Sequence, residues 1–194
     1  MDRIPVIALK GKGGSGKSTA AKYLETRGYV QTSFAAPLRK MLKAIGLSDK
    51  ELSGALKETP CAKLSGRSPR EAMQMLGTEW GRALHPNFWV NRWRDTASDI
   101  LDQDGFGVVV DDCRFPNEAE TVRALGGFVI EILPAVPPED GTGVGIAGHV
   151  SETQDFDPDI LVINDGKSLD DFYASLDEAI EVLKREAADE PVAL

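Results

Sequence analysis

Residues 11–20 read Gly-Lys-Gly-Gly-Ser-Gly-Lys-Ser-Thr-Ala, directly after the apolar run Ile4-Pro5-Val6-Ile7-Ala8-Leu9. The spacing Gly11-x4-Gly16-Lys17-Ser18, set between a strand and a helix, is that of a phosphate-binding loop. Glycines let backbone N–H groups turn inward around phosphate oxygens, and Gly13, Gly14, Ser15 and Thr19 complete the cradle. Lys17 is placed to reach the β and γ oxygens of a nucleotide, Ser18 to ligate Mg²⁺, and the dipole of the following helix favours the negative charge. A second oxygen donor is expected at the end of Val108-Val109-Val110-Asp111-Asp112, where a strand-end carboxylate holds Mg²⁺ directly or through water. Strand alternation sends Asp111 and Asp112 to opposite faces, so the two should not share one role. Arg114 follows two residues later, either beside the transferring phosphoryl group or as an ion-pair partner of Glu118.

The stretch Ser68-Pro69-Arg70-Glu71 carries a capping residue, Pro at the first helical position and Glu at the third, which predicts a helix over 69–84. At 100° per residue Arg70, Gln74, Gly77 and Gly81 share one stripe, about 110° from the apolar line Met73, Leu76, Trp80, Leu84. Glycine costs about 1 kcal/mol in a helix interior, so the two glycines imply room for a flat ligand or close helix packing. On the first reading Arg70 grips a phosphate or base carbonyl and Gln74 a base edge. Trp80, Trp89 and Trp93 are candidates for either core or base stacking. Phe34, Arg39 and Lys40 flank the turn after the second strand, and Arg39 is a candidate acceptor-phosphate ligand.

These residues need a frame, and alternating short apolar strands and amphipathic helices supply it. Strands are predicted at 3–9, 29–34, 108–112, 128–133 and 160–163. Helices are predicted at 17–27, 37–45, 69–84, 87–102, from Pro116 to about Leu125, and from Ser168 to about Ala187, with a short helix and a loop between 48 and 67. The pattern is an α/β, doubly wound parallel sheet with ligands outside the carboxyl ends of the strands. The expected organisation is one P-loop domain with a core over about 1–36 and 104–188 and a helical substrate-binding insertion over about 37–103. Residues 134–150 hold three prolines and four glycines, which predicts a lid.

The 194 residues carry 22 Lys+Arg against 31 Asp+Glu, a net charge of −9. That balance argues against a polymeric nucleic acid or an anionic membrane as partner, and it means that a phosphate ligand must be met by locally placed cations. Cys61 and Cys113 are far apart and form no CxxC, so neither zinc nor a disulfide framework is expected, and a cytoplasmic location fits. No apolar run approaches a membrane span.

Phe-Ala-Ala-Pro-Leu-Arg-Lys-Met-Leu at 34–42, RxxxQxLGTEWGR at 70–82, FWVNRW at 88–93, VVVDDCRFPNEAETVRALGG at 108–127, HVSE at 149–152 and LVINDG at 161–166 occur in this order. Together they resemble the deoxynucleoside monophosphate kinases of tailed bacteriophages over about residues 4–180. The resemblance implies a P-loop NTPase three-layer fold of the NMP-kinase type that moves the γ-phosphoryl of ATP, with Mg²⁺, to a deoxynucleoside monophosphate. Its DxR motif selects Asp112 over Asp111 for the metal and adds Arg114 to the catalytic set. Its RxxxQxLGTEWGR motif supports Arg70, Gln74, Trp80 and Arg82 at the acceptor side, and Phe34, Arg39, Gly77, Trp89, Arg114 and Glu118 are the further candidates there. His149, Ser151 and Glu152 fall at the end of the lid, and Asn164, Asp165 and Gly166 near the adenine end of ATP. The lid departs from the NMP-kinase pattern, because 134–150 contains no Lys or Arg.

The expected partners are small nucleotide substrates, with a homodimer as a further expectation. The expected reaction is an in-line transfer with no covalent enzyme intermediate, in which Lys17 and Mg²⁺ neutralise the ATP phosphates and arginines hold the acceptor. The rival readings are another small-molecule P-loop kinase of the dephospho-CoA kinase type, a kinase of modified bases in phage DNA, and a nucleotide-switched ATPase that changes partners.

Overall fold

Five parallel strands in the order β2-β3-β1-β4-β5 form the centre of the computed structural model, which describes residues 3–103, 105–134 and 156–189. In chain order the elements are β1 (Val6–Lys10), α1 (Lys17–Thr26), β2 (Tyr29–Thr32), α2 (Ala36–Ala44) and α3 (Asp49–Leu52). A 3₁₀ turn (Ala62–Leu64), α4 (Pro69–Met75), a π-helical segment (Leu76–Arg82) and α5 (Phe88–Leu101) come next. β3 (Gly107–Val110), α6 (Pro116–Ala124), β4 (Phe128–Pro134), β5 (Ile160–Asn164) and α7 (Leu169–Asp189) complete the described chain. The α/β class and the all-parallel sheet are those read from the sequence. Residues 135–155, and with them His149, Ser151, Glu152 and nearly all of the expected lid, lie outside the described residues.

Each strand is short because its function ends where the next loop begins. β1 is buried along nearly its whole length, as a strand covered on both faces must be. Its residues alternate between two cores. Ile7 and Leu9 pack with Leu24 of α1 and Leu176 and Leu183 of α7, whereas Val6 and Ala8 pack with Val90 and Trp93 of α5 and Val122 of α6. A third, smaller cluster of Leu42, Leu47, Leu52 and Met73 joins α2, α3 and α4. Trp93 is core, 2% exposed, with its indole N–H donated to Thr32 Oγ1 at 3.0 Å.

The local signals act as expected at the starts of helices. Ser68 Oγ accepts from Glu71 N at 3.2 Å while Ser68 N donates to the Glu71 carboxylate at 2.8 Å, and Pro69 takes the first helical position. Two boundaries differ in ways that matter for the site. β2 stops at Thr32 instead of running to 34, and β3 stops at Val110, so Ser33, Phe34, Asp111 and Asp112 all belong to loops at the carboxyl edge. The helix predicted over 69–84 is α-helical only to Met75 and then widens into π-type winding. Among the described residues no helix is long and apolar enough to cross a membrane.

The turn into β4 brings backbone against backbone. A Cβ on Gly127 would stand 2.4 Å from Val6 O and 3.0 Å from Val122 O, both of them backbone atoms with no freedom to retreat. Gly127→Ala is expected to destabilise the protein by about 1–3 kcal/mol in urea denaturation; an unchanged midpoint would show that β1 and β4 are not held at this distance.

Candidate active site

The loop between β1 and α1 is shaped by what its neighbours leave no room for. Gly11 has φ +140°, and a Cβ there would meet Ile132 O at 2.4 Å; Gly16 has φ +108°, and a Cβ there would meet Asn164 Nδ2 at 2.6 Å. Gly14 also lies at positive φ, while a Cβ at Gly13 or Gly14 would meet nothing within 4 Å, so this part of the loop is open. Gly16 begins α1 by accepting from Ala20 N at 2.9 Å. Asn164, at the end of β5, donates to Ser15 O at 3.0 Å and accepts from Gly166 N at 3.3 Å, so it braces the loop from the neighbouring strand end. Asp165 is turned to Lys167, 2.8 Å away. Lys17 Nζ lies over the loop, donating to the carbonyls of Gly11 and Lys12 at 2.6 and 2.7 Å. Thr19 sits in the first turn of α1.

The two carboxylates divide as alternation predicts, but the one beside the loop is Asp111. Ser18 Oγ donates to Asp111 Oδ2 at 3.2 Å. Asp112 instead binds the turn after β2, accepting from Ser33 Oγ at 2.6 Å, Phe34 N at 2.9 Å and Ala35 N at 3.0 Å. The carboxylate beside Ser18 is thus Asp111, and Asp112, expected to hold the metal, is turned to the β2–α2 turn instead. The register pairs Ala8 with Val110, so the first residue beyond β3 is the one that faces the loop leaving β1. Burial, and then the charge of Asp112, raise the Asp111 carboxyl above its ordinary value. Among the described residues no three His, Cys, Asp or Glu side chains group as a metal site. A hydroxyl and a carboxylate beside a phosphate loop are nonetheless hard oxygen donors of the kind that Mg²⁺ accepts when phosphates and water supply the rest.

Asp112 also lines an open pocket that lies between the β2–α2 turn, α4, the π-helical segment and α6. Phe34, Arg39, Arg70, Gln74, Gly77, Arg82, Trp89, Arg114 and Glu118 all line it, which brings together most of the acceptor-side residues read from the sequence. Its cations outnumber its acids: Arg39, Lys57, Arg70, Arg82 and Arg114 make five, Asp112 and Glu118 two. In a chain of net charge −9 this is a local concentration of positive charge suited to a phosphate. Several of these groups are already held. Arg39 Nη1 donates to Ser33 Oγ at 2.8 Å, and Arg70 Nε is paired with Glu58.

Arg82 and Glu118 form the most buried ion pair of the site. Arg82 Nη2 donates to Glu118 Oε1 at 2.6 Å, and the guanidinium lies over the Phe115 ring, 3.5 Å from its centroid. The other Glu118 oxygen accepts from Arg114 N at 2.7 Å and Phe115 N at 3.1 Å, so one carboxylate caps α6 and anchors Arg82. Burial pushes Glu118 up to about 7, opposed by these hydrogen bonds and by the charge of Arg82. Arg114 meets Glu118 through its backbone N–H, and the ion pair to Glu118 is made by Arg82.

The apolar end of the pocket explains the two glycines. A Cβ on Gly81 would stand 2.2 Å from Trp89 Nε1, and Trp89 Nε1 donates to Gly77 O at 2.8 Å. Gly81 accommodates an indole of the protein itself, and that indole lines the pocket. Trp80 is corrected: it is 43% exposed, packs edge-on against Phe88 at 5.6 Å, and is not among the lining residues. Each π-type residue advances less around the axis than the 100° assumed for an α-helix, so positions after Met75 depart from the projected stripe. The same change of winding puts Thr78 on the wall, which sequence periodicity missed. Lys57 was also missed, since the weakly patterned stretch 48–67 contains no signal that would single it out.

No family model matches the chain. It is 34% identical over 193 residues, covering 91% of this chain and 96% of the relative, to the protein of Acanthamoeba polyphaga mimivirus named "Putative deoxynucleotide monophosphate kinase". It is 30% identical over 114 residues to the deoxynucleotide monophosphate kinase of Escherichia phage RB69, covering 58% of this chain and 45% of that protein. Over 74 residues it is 34% identical to the deoxynucleoside-5'-monophosphate kinase of Escherichia phage T5, covering 35% of this chain and 28% of that protein. Among solved structures it is similar to a Thermus thermophilus protein, with TM-score 0.51 at 15% identity over 93% of this chain and 98% of that one. It is also similar to the APS kinase of Mycobacterium tuberculosis in complex with AMPPNP and APS, with TM-score 0.50 at 16% identity over 92% and 98% of the two chains. At these identities the solved structures bear on the fold alone, which is that of the P-loop kinases.

The indole contact is separable from glycine content as such. Gly81→Ala is expected to displace Trp89, shifting the tryptophan emission spectrum and lowering stability by about 1–3 kcal/mol. Gly77→Ala, whose added methyl comes no closer than 3.7 Å to Leu38, is expected to leave the spectrum alone and to stabilise the helix by up to about 1 kcal/mol. Equal effects of the two substitutions would refute the packing assignment.

Proposed function

The chain belongs to the deoxynucleotide monophosphate kinase family, and on that premise we propose how its two phosphate sites divide the reaction. The donor is ATP, held with Mg²⁺ at the P-loop formed by Gly11, Gly13, Gly14, Ser15, Gly16, Lys17, Ser18 and Thr19. The acceptor is a deoxynucleoside monophosphate in the cation-rich pocket. The observation that carries this reading is the dipeptide Asp111-Asp112: one carboxylate meets Ser18 of the loop, and the next lines the pocket. Two consecutive residues therefore join the donor and acceptor sites.

Ser18 and Asp111 would hold Mg²⁺, which would supply positive charge to the donor phosphates. Lys17, which donates to loop carbonyls in the ligand-free chain, exchanges them for the β and γ oxygens when ATP enters. Asp112 holds the β2–α2 turn and thereby positions Phe34 and Arg39 on the acceptor side. Arg39, Arg70 and Arg114 are assigned to the acceptor phosphate, Trp89 and Phe34 to the faces of the base, and Gln74 to its edge. Arg82 and Glu118 keep the pocket wall in place. An oxygen of the acceptor phosphate attacks Pγ as the bond from Pγ to the β-phosphate oxygen breaks, giving dNDP and ADP. The attacking oxygen is already ionised, so no general base is required, and catalysis rests on positioning and charge.

In this scheme residues 37–103 form the acceptor-binding insertion and 134–150 the lid. Asn164 is assigned to bracing the P-loop, with Asp165 and Gly166 beyond it toward the adenine; His149 and Glu152 remain assigned to the lid's end. A kinase of bases within DNA is disfavoured because the positive charge is gathered in a pocket and the chain as a whole is acidic.

ADP release measured with Mg-ATP across dTMP, dGMP, dCMP and dAMP is expected to depend on the acceptor. ATPase activity independent of acceptor would support a nucleotide switch instead. Lys17→Ala is expected to reduce kcat at least about 10³-fold with the fold intact by circular dichroism. Asp111→Asn is expected to reduce kcat about 10²-fold or more and to shift the Mg²⁺ dependence upward. Asp112→Asn is expected to act chiefly on acceptor KM and thermal stability. The reverse pattern for the two aspartates would return the metal to Asp112.

A further inference from the structure

Resting on that reading of the pocket, we propose that Lys57 is a ligand of the acceptor phosphate and takes up a proton as the phosphate dianion binds. Lys57 lies between α3 and the 3₁₀ turn, and its side chain lines the pocket beside Arg39, Arg70 and Arg114. Its backbone is fixed at both ends: Lys57 N donates to Gly54 O at 3.2 Å, and Lys57 O accepts from Arg70 N at 3.0 Å at the start of α4.

Its ammonium, unlike its backbone, is uncommitted. Among the described residues Lys57 Nζ makes no hydrogen bond or ion pair, while Arg39, Arg70 and Arg82 are engaged by Ser33, Glu58 and Glu118. The carboxylates that could have neutralised it are taken. Asp112 accepts from Ser33, Phe34 and Ala35, and Glu118 from Arg82, Arg114 and Phe115. Glu58, its chain neighbour, is paired with Arg70.

The charged groups facing Lys57 are therefore Arg39 from α2, Arg70 from α4, Arg114 from the loop after β3, and Glu58. Burial, followed by the charges of Arg70, Arg39 and Arg114, pulls its ammonium down to about 8, with Glu58 opposing. A lysine lowered in this way is held partly neutral in the free protein and becomes fully charged when a counter-ion arrives. A phosphate monoester, dianionic above about pH 6, is that counter-ion. The proton comes from solvent to Nζ, and no other bond is made or broken.

The sign follows from the direction of the shift. Below about pH 7 Lys57 is charged before the acceptor arrives, and binding takes up little. Above about pH 8 the free form is mostly neutral, so binding draws in a proton and affinity falls as pH rises.

Isothermal titration of the intact protein with the dNMP it turns over best, in two pH 8.5 buffers of different ionisation enthalpy, reads this directly. The wild type is expected to take up roughly 0.7 of a proton per dNMP, falling toward zero at pH 7. Lys57→Met is expected to bind the dNMP about 10- to 100-fold more weakly, with no proton uptake, an ATP KM within about twofold of wild type, and a higher Tm without ligand because the unpaired charge is gone. Lys57→Arg, permanently charged, is expected to restore binding without restoring uptake. Equal dNMP affinity in wild type and Lys57→Met, or uptake that persists in Lys57→Arg, would overturn the assignment of Lys57 while leaving the kinase reading in place. A wild-type protein that binds no dNMP would overturn the kinase reading, and this proposal with it.

Discussion

The pairing of β1 between β3 and β4 is the constraint from which the site follows. All three strands run the same way, so their loops leave at one edge, and the register sets how far each has travelled when it does. Ala8 opposite Val110 brings the P-loop and Asp111 to one level, and Lys10 opposite Glu131 brings β4 up against the glycine that opens the loop. The missing side chain at Gly11 is then explained by Ile132 O, and the missing side chain at Gly16 by Asn164 at the end of β5. A phosphate loop is a local motif, but its curvature here is imposed by the two strands beside it.

The second constraint is electrostatic. An acidic protein that must hold two polyanions has to gather cations in one place, and isolated buried cations are unfavourable. The chain answers with prearranged counter-groups: Glu118 for Arg82, Glu58 for Arg70, Ser33 for Arg39. Glu118 also accepts from the N–H groups of Arg114 and Phe115, which lead into α6. The Pro-Asn-Glu sequence that begins α6 is thus both a helix signal and the anchor of a pocket arginine. Removing the carboxylate would leave a buried guanidinium unpaired and the helix start unsatisfied together.

What was legible in the sequence was what local interactions decide. The P-loop spacing, the Ser68–Glu71 box and the five apolar strands depend on residues within a few positions of one another, and the structure reproduces them with boundary shifts of a few residues. Alternation also separated Asp111 from Asp112 correctly. Which of them faces Ser18 depends on strand register, and register is a pairing between segments about a hundred residues apart. Lys57 was invisible for a related reason: its neighbours come from α2, α4 and the loop after β3, and nothing in 48–67 encodes that meeting.

The π-helical segment shows the same limit from the other side. Residues 69–84 carry the start signals and apolar spacing of an α-helix, and of the projected stripe Arg70, Gln74 and Gly77 line the pocket whereas Gly81 does not. Beyond Met75 two tertiary contacts take over. Gly81 must lie flat against the Trp89 indole, and Arg82 must reach Glu118 across the Phe115 ring. Wider winding turns less per residue, which moves Arg82 relative to Arg70 without changing the chain length. Gly81 makes the indole contact sterically possible, and Gly77 supplies the carbonyl that receives the indole N–H. The pocket floor is therefore a property of the pair formed by the π-helical segment and α5, and neither helix specifies it alone.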